Sequence, residues 1–462
     1  MRAADALTHF FSGPGTLLLL LGTGVFLSVR CSFPQLRHPR LILRQTLGSL
    51  VSPHSHRKEG DFSPFQAACT ALGGTVGTGN VAGVAGAIFL GGPGAVFWMW
   101  VSAFFGMCTK FAEIALSLRY RETDGQGQAF GGPMVYIEQK LGTPFRPLAL
   151  LFALCGTLAS FGIGNLVQSR EIAGALFSLF GMPPLVSGLL LCLLVAALVF
   201  GGSQRLGRTL ALLVPLMTGL YLLLGLGALL SQFSALPGLL ALIVRSAFHP
   251  EAAGGAFAGL SLRRCLQLGF SRGLFSNEAG LGSAALAHAS SAETEPCREA
   301  LWGVVEVFVD SFLICTLTAL IVLASGLPSL VTLEQLGGEG GAAQAAFQTL
   351  LPGAATGKLL SLCLIFFAFT SILSWSRYGA LCCRWLFHGK KAAVVIFSLL
   401  FSLCCLPGAL GSGAFVWSLS ASLNSLMSLP NLIALLLLSG ELSAMSRRFF
   451  RSADVPPRCT AR

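Results

Sequence analysis

Residues 73–80 read GGTVGTGN, four glycines in eight positions with two threonines and an asparagine. They lie inside an apolar segment running from about Phe65 to Leu90. Each glycine in a helix interior costs about 1 kcal/mol relative to alanine. A segment this long and apolar reads as a membrane-crossing helix, because a bilayer core of ~30 Å needs roughly 20 apolar residues. The stretch therefore marks a break in a span. In lipid the backbone must satisfy its own polar groups, so an unwound turn survives only where protein buries it or where it lines a cavity. There its freed N–H groups can face an anion and its freed carbonyls a cation. The half-helix that starts near Asn80 points the positive end of its dipole at the break, which suits a carboxylate. The carbonyls of Gly73, Thr75 and Val76, with the short side chains of Thr75, Thr78 and Asn80, suit a hard cation such as Na⁺. A molecule carrying both charges, such as an α-amino acid, fits this pattern. A plainer alternative is that Gly73-x₃-Gly77 and Gly79-x₃-Gly83 only let helices pack closely. That explains the glycines but not the clustered threonines and asparagine.

The rest of the chain agrees with a membrane reading. Of 462 residues, 54% are hydrophobic and 11% charged, against about 25% charged in soluble domains. Apolar stretches of spanning length occur at 14–30, 93–118, 146–166, 183–201, 207–231, 299–326, 357–376, 391–409 and 411–441. With the glycine-broken segments 64–90 and 251–290 they make about eleven spans. The fold class is all-α and polytopic, without the alternating pattern of a β-barrel. The net charge of +11 follows the same topology. Arg30, Arg37, Arg40, Arg44, Arg57 and Lys58 fall in or beside the first loop, and Arg119, Arg121, Lys140 and Arg146 flank the third. Arg205 and Arg208 lie in the fifth, Arg384, Lys390 and Lys391 in the ninth, and Arg447, Arg448, Arg451, Arg458 and Arg462 in the tail, with Arg170 and Arg245 as exceptions. The positive-inside rule then places the N-terminus outside and the C-terminus in the cytoplasm of a cell-membrane protein. This pattern argues against nucleic acid as a partner. The fourteen cysteines show no short-spaced disulfide or zinc framework and read as small apolar fillers. The first span reads as a retained helix, not a cleaved signal, since no small-x-small site follows it.

One membrane domain, 1–462, accounts for the whole chain. The first span, at 12–32, stands apart behind a long basic loop. The other ten divide into five and five, 64–232 and 251–441, and each five opens with a broken segment, GGTVGTGN in the first and RGLFSNEAGLGSA (272–284) in the second. Glycine-interrupted spans at matching positions of two halves point to a transporter binding site. With five spans per half, the second half starts from the opposite side, so repeats must be inverted.

The motifs resemble a known family. GGTVGTGNVAGVAGAIFLGGPGAVFWMWVSAFFGMCTKFAE (73–113), FGIGNLVQ (161–168), RGLFSNEAGLGSA (272–284), DSFLICTLTAL (310–320) and LPNLIALLLLSG (429–440) are similar to the alanine or glycine:cation symporter family, over roughly residues 14–441. The resemblance implies a leucine-transporter-like fold and Na⁺-coupled symport of alanine, glycine or D-alanine by alternating access, with Na⁺ as coupling ion and no organic cofactor. It also implies that Gly77, Thr78 and Gly79 cradle the carboxylate. Thr75 and Asn80 would serve one ion, and Gly73 and Val76 a second, together with Thr370 and Ser371. The alternative for that last pair is hydroxyl back-bonding to their own helix. Arg170, Arg377, Ala380, Ser418 and Ala421 depart from the family pattern.

Several further residues are candidates. Gln168 follows FGIGN and suits a substrate amine or carboxylate. Phe161, Phe275 and Trp375 are candidate pocket walls, and Ser276 and Asn277 line the second break. Ionisable groups at membrane depth are expensive and invite a functional reading. Asp310 and Glu278 are the carriers in the alternative function, a proton-coupled amino-acid transporter. Otherwise Asp310 is a partner for Arg272 or another buried base, Glu278 pairs with Arg272 to lock the bend, and Lys110 pairs with Glu113 three residues on. An enzyme is disfavoured, since no H-E-x-x-H, G-x-S-x-G or clear paired-carboxylate set is present. A channel is disfavoured because nothing resembles a symmetric filter.

Overall fold

The computed structural model describes residues 14–50, 62–123, 129–249, 261–411 and 414–453. Arg57, Lys58, Arg458, Arg462, the first ten residues of the second half and the side chains of Ser418 and Ala421 lie outside the described set. The chain is helical almost throughout. Apart from an isolated bridge at Phe62, described strands are confined to a two-residue pair, Glu122–Thr123 with Ala129–Phe130.

Numbering the helices used below in chain order, α1 is Pro14–Arg30, α2 Pro64–Thr75, α3 Ala82–Gly91 and α4 Gly94–Arg119. Next come α5 Arg146–Phe161, α6 Val167–Phe180, α7 Pro184–Val199, α8 Ser203–Leu230 and α9 Leu236–Phe248. The second half holds α10 Leu262–Asn277, α11 Ser283–His288, α12 Pro296–Val307, α13 Thr316–Ala324 and α14 Glu339–Leu350. It closes with α15 Ala354–Leu386, α16 Lys391–Leu403, α17 Cys405–Gly411, α18 Ala414–Leu437 and α19 Ser439–Ala453. Six helices are by themselves long and apolar enough to cross a membrane, and bent pairs raise this to eight. The shorter apolar α1 and α7 and the polar broken pair α10–α11 fall on the remaining expected segments, and α9 lies in a further short apolar helix outside them.

Helix starts follow local chemistry. At α2, Ser63 caps Gln66 N and the Gln66 side chain returns the bond to Ser63 N, with Pro64 in the first turn. Stretches read as connections also hold helices: α9, which carries Arg245, α14, and the short helices Pro34–Arg37, Pro39–Gln45 and Pro133–Tyr136. Wider π-helical turns occur at Gly162–Leu166, between α5 and α6, and at Phe308–Cys315, between α12 and α13. Apolar side chains fill the spaces around α4 and α12, around α2, α3 and α8, and where α6, α7 and α16 meet. Buried polar groups link the two breaks through hydrogen bonds, Asn80 and Ser311 to Asp310 and Asn277 to Ser311.

Candidate functional site

At the first break α2 ends at Thr75, and the two halves meet at 60°. Val76 and Gly77 are extended, and Thr78–Asn80 makes one 3₁₀ turn before α3. Asn80 folds back so that Oδ1 accepts the Gly77 N–H at 2.9 Å. The glycines divide by use. A methyl at Gly73 would lie 2.8 Å from Ser374 Oγ, and one at Gly74 2.8 Å from the Tyr378 hydroxyl. These two admit α15, as a packing motif should. Gly79 is exposed, and a methyl there would have no atom within 4 Å. It faces open space.

Opposite the break lies a buried carboxylate. The π-turn Phe308–Cys315 carries Asp310, fully buried, to the Asn80 side chain, whose Nδ2 donates to Oδ1 at 2.6 Å. Ser276 and Ser311 donate to Oδ2 at 2.8 and 2.9 Å, and Asn80 also donates to Ser276 Oγ at 3.0 Å. Asp310 does not pair with Arg272. Each of these donors is neutral, so they hold a negative charge without cancelling it, a condition that favours a bound cation or a proton. Sequence reasoning placed Asn80 and Ser276 at different ligands and set Asp310 apart. The spacing gives no hint that all three converge.

The second expected ion group is only partly assembled. Ser371 Oγ donates to Gly73 O at 3.0 Å, and both faces are buried. Thr370 instead bonds back to Phe366 O and Phe367 O at 3.0 Å and touches Met217 Sδ at 3.2 Å. Ser371 also bonds back to Phe367 O. Thr370 thus follows the back-bonding alternative, while Ser371 bridges both readings. One turn on, Ser374 presents a buried hydroxyl with no hydrogen-bond partner towards Gly73. It was not among the sequence candidates.

The second break is built differently. Glu278, Gly280 and Gly282 take positive φ between α10 and α11. Glu113 Oε1 accepts the N–H groups of Gly280 and Gly282 at 2.8 and 3.2 Å, and Asn431 Nδ2 at 2.6 Å. Asn277 Oδ1 accepts Ala279 N, and its Nδ2 reaches Ser311 Oγ at 3.2 Å. This backbone is held by side chains, so Glu113 braces the turn and does not pair with Lys110. Lys110 reaches Glu306 at 3.2 Å. Glu278 accepts from Ser283 Oγ at 2.6 Å, and Arg272 pairs at 2.5 Å with Glu339 at the start of α14. The start of α14, not the bend, is what Arg272 fastens. Gly83 and Gly86 leave room on α3 for this pair.

The remaining candidates separate. Gln168 is buried, with Nε2 on Ile163 O at 3.2 Å and Oε1 lacking a hydrogen-bond partner, so an acceptor is offered to a donor ligand. Trp375 is buried against Tyr378 and beside Glu278. Phe275 is half-buried in the last turn of α10. Phe161 is not at the break. Its ring packs on Phe397 and Phe401 of α16, with centroids 5.1 and 5.8 Å away. Among the departures from the family pattern, Arg377 lies over the Phe62 ring at 5.5 Å and donates to Ser290 Oγ at 3.0 Å, and Arg170 is exposed.

Comparison with known proteins places this arrangement. The sequence profile of the sodium:alanine symporter family matches residues 2–456. The chain is similar to the sodium/alanine symporter AgcS of Methanococcus maripaludis, 40% identical over 96% of each chain. It is also similar to the probable sodium/glutamine symporter GlnT of Bacillus subtilis, 35% identical over 92% of this chain and 85% of that one. Among solved structures it superposes on MhsT in complex with L-phenylalanine, with a TM-score of 0.57 and 16% identity over 85% of this chain and 97% of that one, a likeness of leucine-transporter-like fold. The broken helices, the buried polar groups and these likenesses lead to one assignment: the chain belongs to the sodium:alanine symporter family, multi-pass membrane proteins that carry out Na⁺-coupled amino-acid symport, and it is a secondary transporter, not an enzyme.

Proposed function

We propose that the protein takes up small neutral amino acids, alanine and glycine with D-alanine as a further candidate, by alternating access around the two breaks. The observation that carries this reading is the meeting of Asn80, Ser276 and Asp310, from three separate elements, beside the exposed Gly79. Na⁺ would sit on the oxygens of this cluster with the carbonyl of Thr75. A second Na⁺ would use Gly73, Val76 and Ser371, with Ser374 as a further oxygen and Thr370 only after its hydroxyl turns. Thr78 and Gly79 precede the first hydrogen bond of the 3₁₀ turn, so their N–H groups suit the substrate carboxylate. The Gly77 N–H is already taken by Asn80. Gln168 offers its Oε1 to the ammonium group. Ser276 and Asn277 border the same space, and Phe275 and Trp375 limit its size. Phe161 has no part in it. The halves 64–232 and 251–441 act as inverted repeats, in the cytoplasmic membrane, with the basic loops and the C-terminus inside.

Energetics suit one Na⁺ per cycle or more. One charge crossing ~100 mV releases about 2.3 kcal/mol. A tenfold gradient adds about 1.4 kcal/mol, and the sum concentrates a zwitterion on the order of 500-fold. Uptake of labelled alanine into proteoliposomes is the test, with Na⁺ or K⁺ outside and the pH gradient removed at constant voltage. Na⁺-dependent, electrogenic uptake that is inhibited by glycine and not by glutamine or leucine is expected. Uptake that persists without Na⁺ and collapses with the pH gradient would instead make Asp310 or Glu278 a proton carrier. Strong inhibition by glutamine would give the pocket a larger substrate.

A further inference from the structure

Besides the cation cluster, four ionisable side chains form a buried group. His288 is the last residue of α11 and is fully buried. Its Nδ1 lies 2.7 Å from Glu299 Oε1 and its Nε2 2.6 Å from Glu306 Oε1. Glu306 Oε2 meets Lys110 Nζ of α4 at 3.2 Å. All four side chains are 0% exposed.

We infer that this group is a proton-binding site, with one proton held by His288 between Glu299 and Glu306. A neutral imidazole has one donor nitrogen and one acceptor. Here both nitrogens face carboxylate oxygens, which accept. The geometry is satisfied only when the group holds one proton more than a neutral ring with two ionised carboxylates. The charge count agrees. Lys110 and a protonated His288 balance Glu299 and Glu306, and without the proton a net negative charge remains where water cannot reach it, which is heavily penalised.

Lys110 also acts on Glu113, Glu278 and Asp310, which add acids and no cation to the surroundings. From α2 the nearest titratable group is the Cys69 thiol, and from α15 the Tyr378 phenol. On α4, Glu113 is turned to the amides of Gly280 and Gly282. From the loop after α11, Glu293 and the Ser291 hydroxyl lie near Glu299. Arg121 and Arg377 donate to Ser291 O and Ser290 Oγ. The proton thus completes the tie between the short half-helix α11, α4 and α12. It can exchange only when α11 moves, and next to α11 the chain at Ser290–Ala292 is bonded to Phe62, just ahead of α2. Loss of the proton releases α11, so alkaline conditions should weaken the closed arrangement.

The test is the ¹⁵N spectrum of the full-length protein, histidine-labelled, in nanodiscs. The chain has 7 histidines. At a pH of about 8.5 an ordinary histidine is neutral in roughly 99% of molecules. One imidazolium should persist there and be absent from His288→Gln. Seven neutral rings in the wild type would overturn the site, and this reading does not depend on any variant folding. A second measurement is thermal unfolding. His288→Gln should lower the midpoint, and adding Glu299→Gln should recover most of that loss, because the group is again neutral overall. A double variant no more stable than the single one would overturn the charge balance.

Discussion

Replacing Asp310 by asparagine removes one buried charge while keeping the side chain's shape. In the structure its hydrogen bonds come from the neutral groups Asn80, Ser276 and Ser311, with the Lys110 ammonium acting from farther off, so a bound Na⁺ would be its direct counter-ion. At about 4 Å and an effective dielectric constant of about 20, the attraction is about 4 kcal/mol. Part of this is regained because a neutral amide is cheaper to keep out of water. A net loss near 3 kcal/mol corresponds to Na⁺ affinity on the order of 100-fold weaker. The assay is initial alanine uptake against external Na⁺ in proteoliposomes, with the voltage clamped and the variant's thermal midpoint checked beforehand. Half-maximal Na⁺ should rise by that order, and glycine should remain an equally good competitor. A half-maximal Na⁺ within about twofold of wild type, in a stable variant, would mean that Asp310 does not hold the ion. Uptake that stays Na⁺-dependent but loses its response to a pH gradient would point to a proton at the same carboxylate.

Other substitutions divide the two breaks. Gly79→Ala should fold normally, since a methyl there has open space around it, yet lose most uptake by filling the space beside the turn; near-normal uptake would reduce Gly79 to a linker. Ser371→Ala removes the hydroxyl that meets Gly73 O, so half-maximal Na⁺ should rise by a few-fold, the equivalent of about 1 kcal/mol, with selectivity unchanged. Glu113→Gln should chiefly destabilise, by about 1–3 kcal/mol, because the donors would converge on a neutral, weaker acceptor and the new Nε2 would replace an oxygen that has no hydrogen-bond partner; a changed substrate preference with full stability would contradict a bracing role. Phe161→Ala should leave alanine-to-leucine selectivity untouched, since its ring packs on Phe397 and Phe401.

The sequence was informative wherever a property is local. Apolar length gave the spans, and glycine with threonine and asparagine gave the first break. Partner choice was not local. Lys110 and Glu113 sit three apart, which suggested a pair, yet each meets a residue far along the chain, Glu306 and the turn at Gly280. Glu278 and Arg272 looked like a lock for the same reason, while Glu339 lies in a stretch that reads as a polar connection. Phe161 opens FGIGN in sequence, but the π-turn begins just after it and its ring packs on Phe397 and Phe401. Thr370 and Ser371 are neighbours on one helix, and their different roles follow from about 100° of rotation between them.

The π-turn at Phe308–Cys315 also has a bearing on how this chain can change. A wider turn accommodates extra chain within a continuous span. Removing one residue there would keep the helix apolar and long enough to cross. It would also rotate everything on one side of the deletion by about 100° relative to the other. Asp310 on one flank and Thr316, which bonds Trp100 on the other, could then no longer both keep their partners. Hydropathy would register nothing, while the charge facing Asn80 would be gone. The span is therefore tolerant of substitution and intolerant of a change in phase, and single-residue deletions should be far more damaging in it than in α7 or α16, where the buried Ser187 and Ser402 hydroxyls bond back to the backbone four residues earlier.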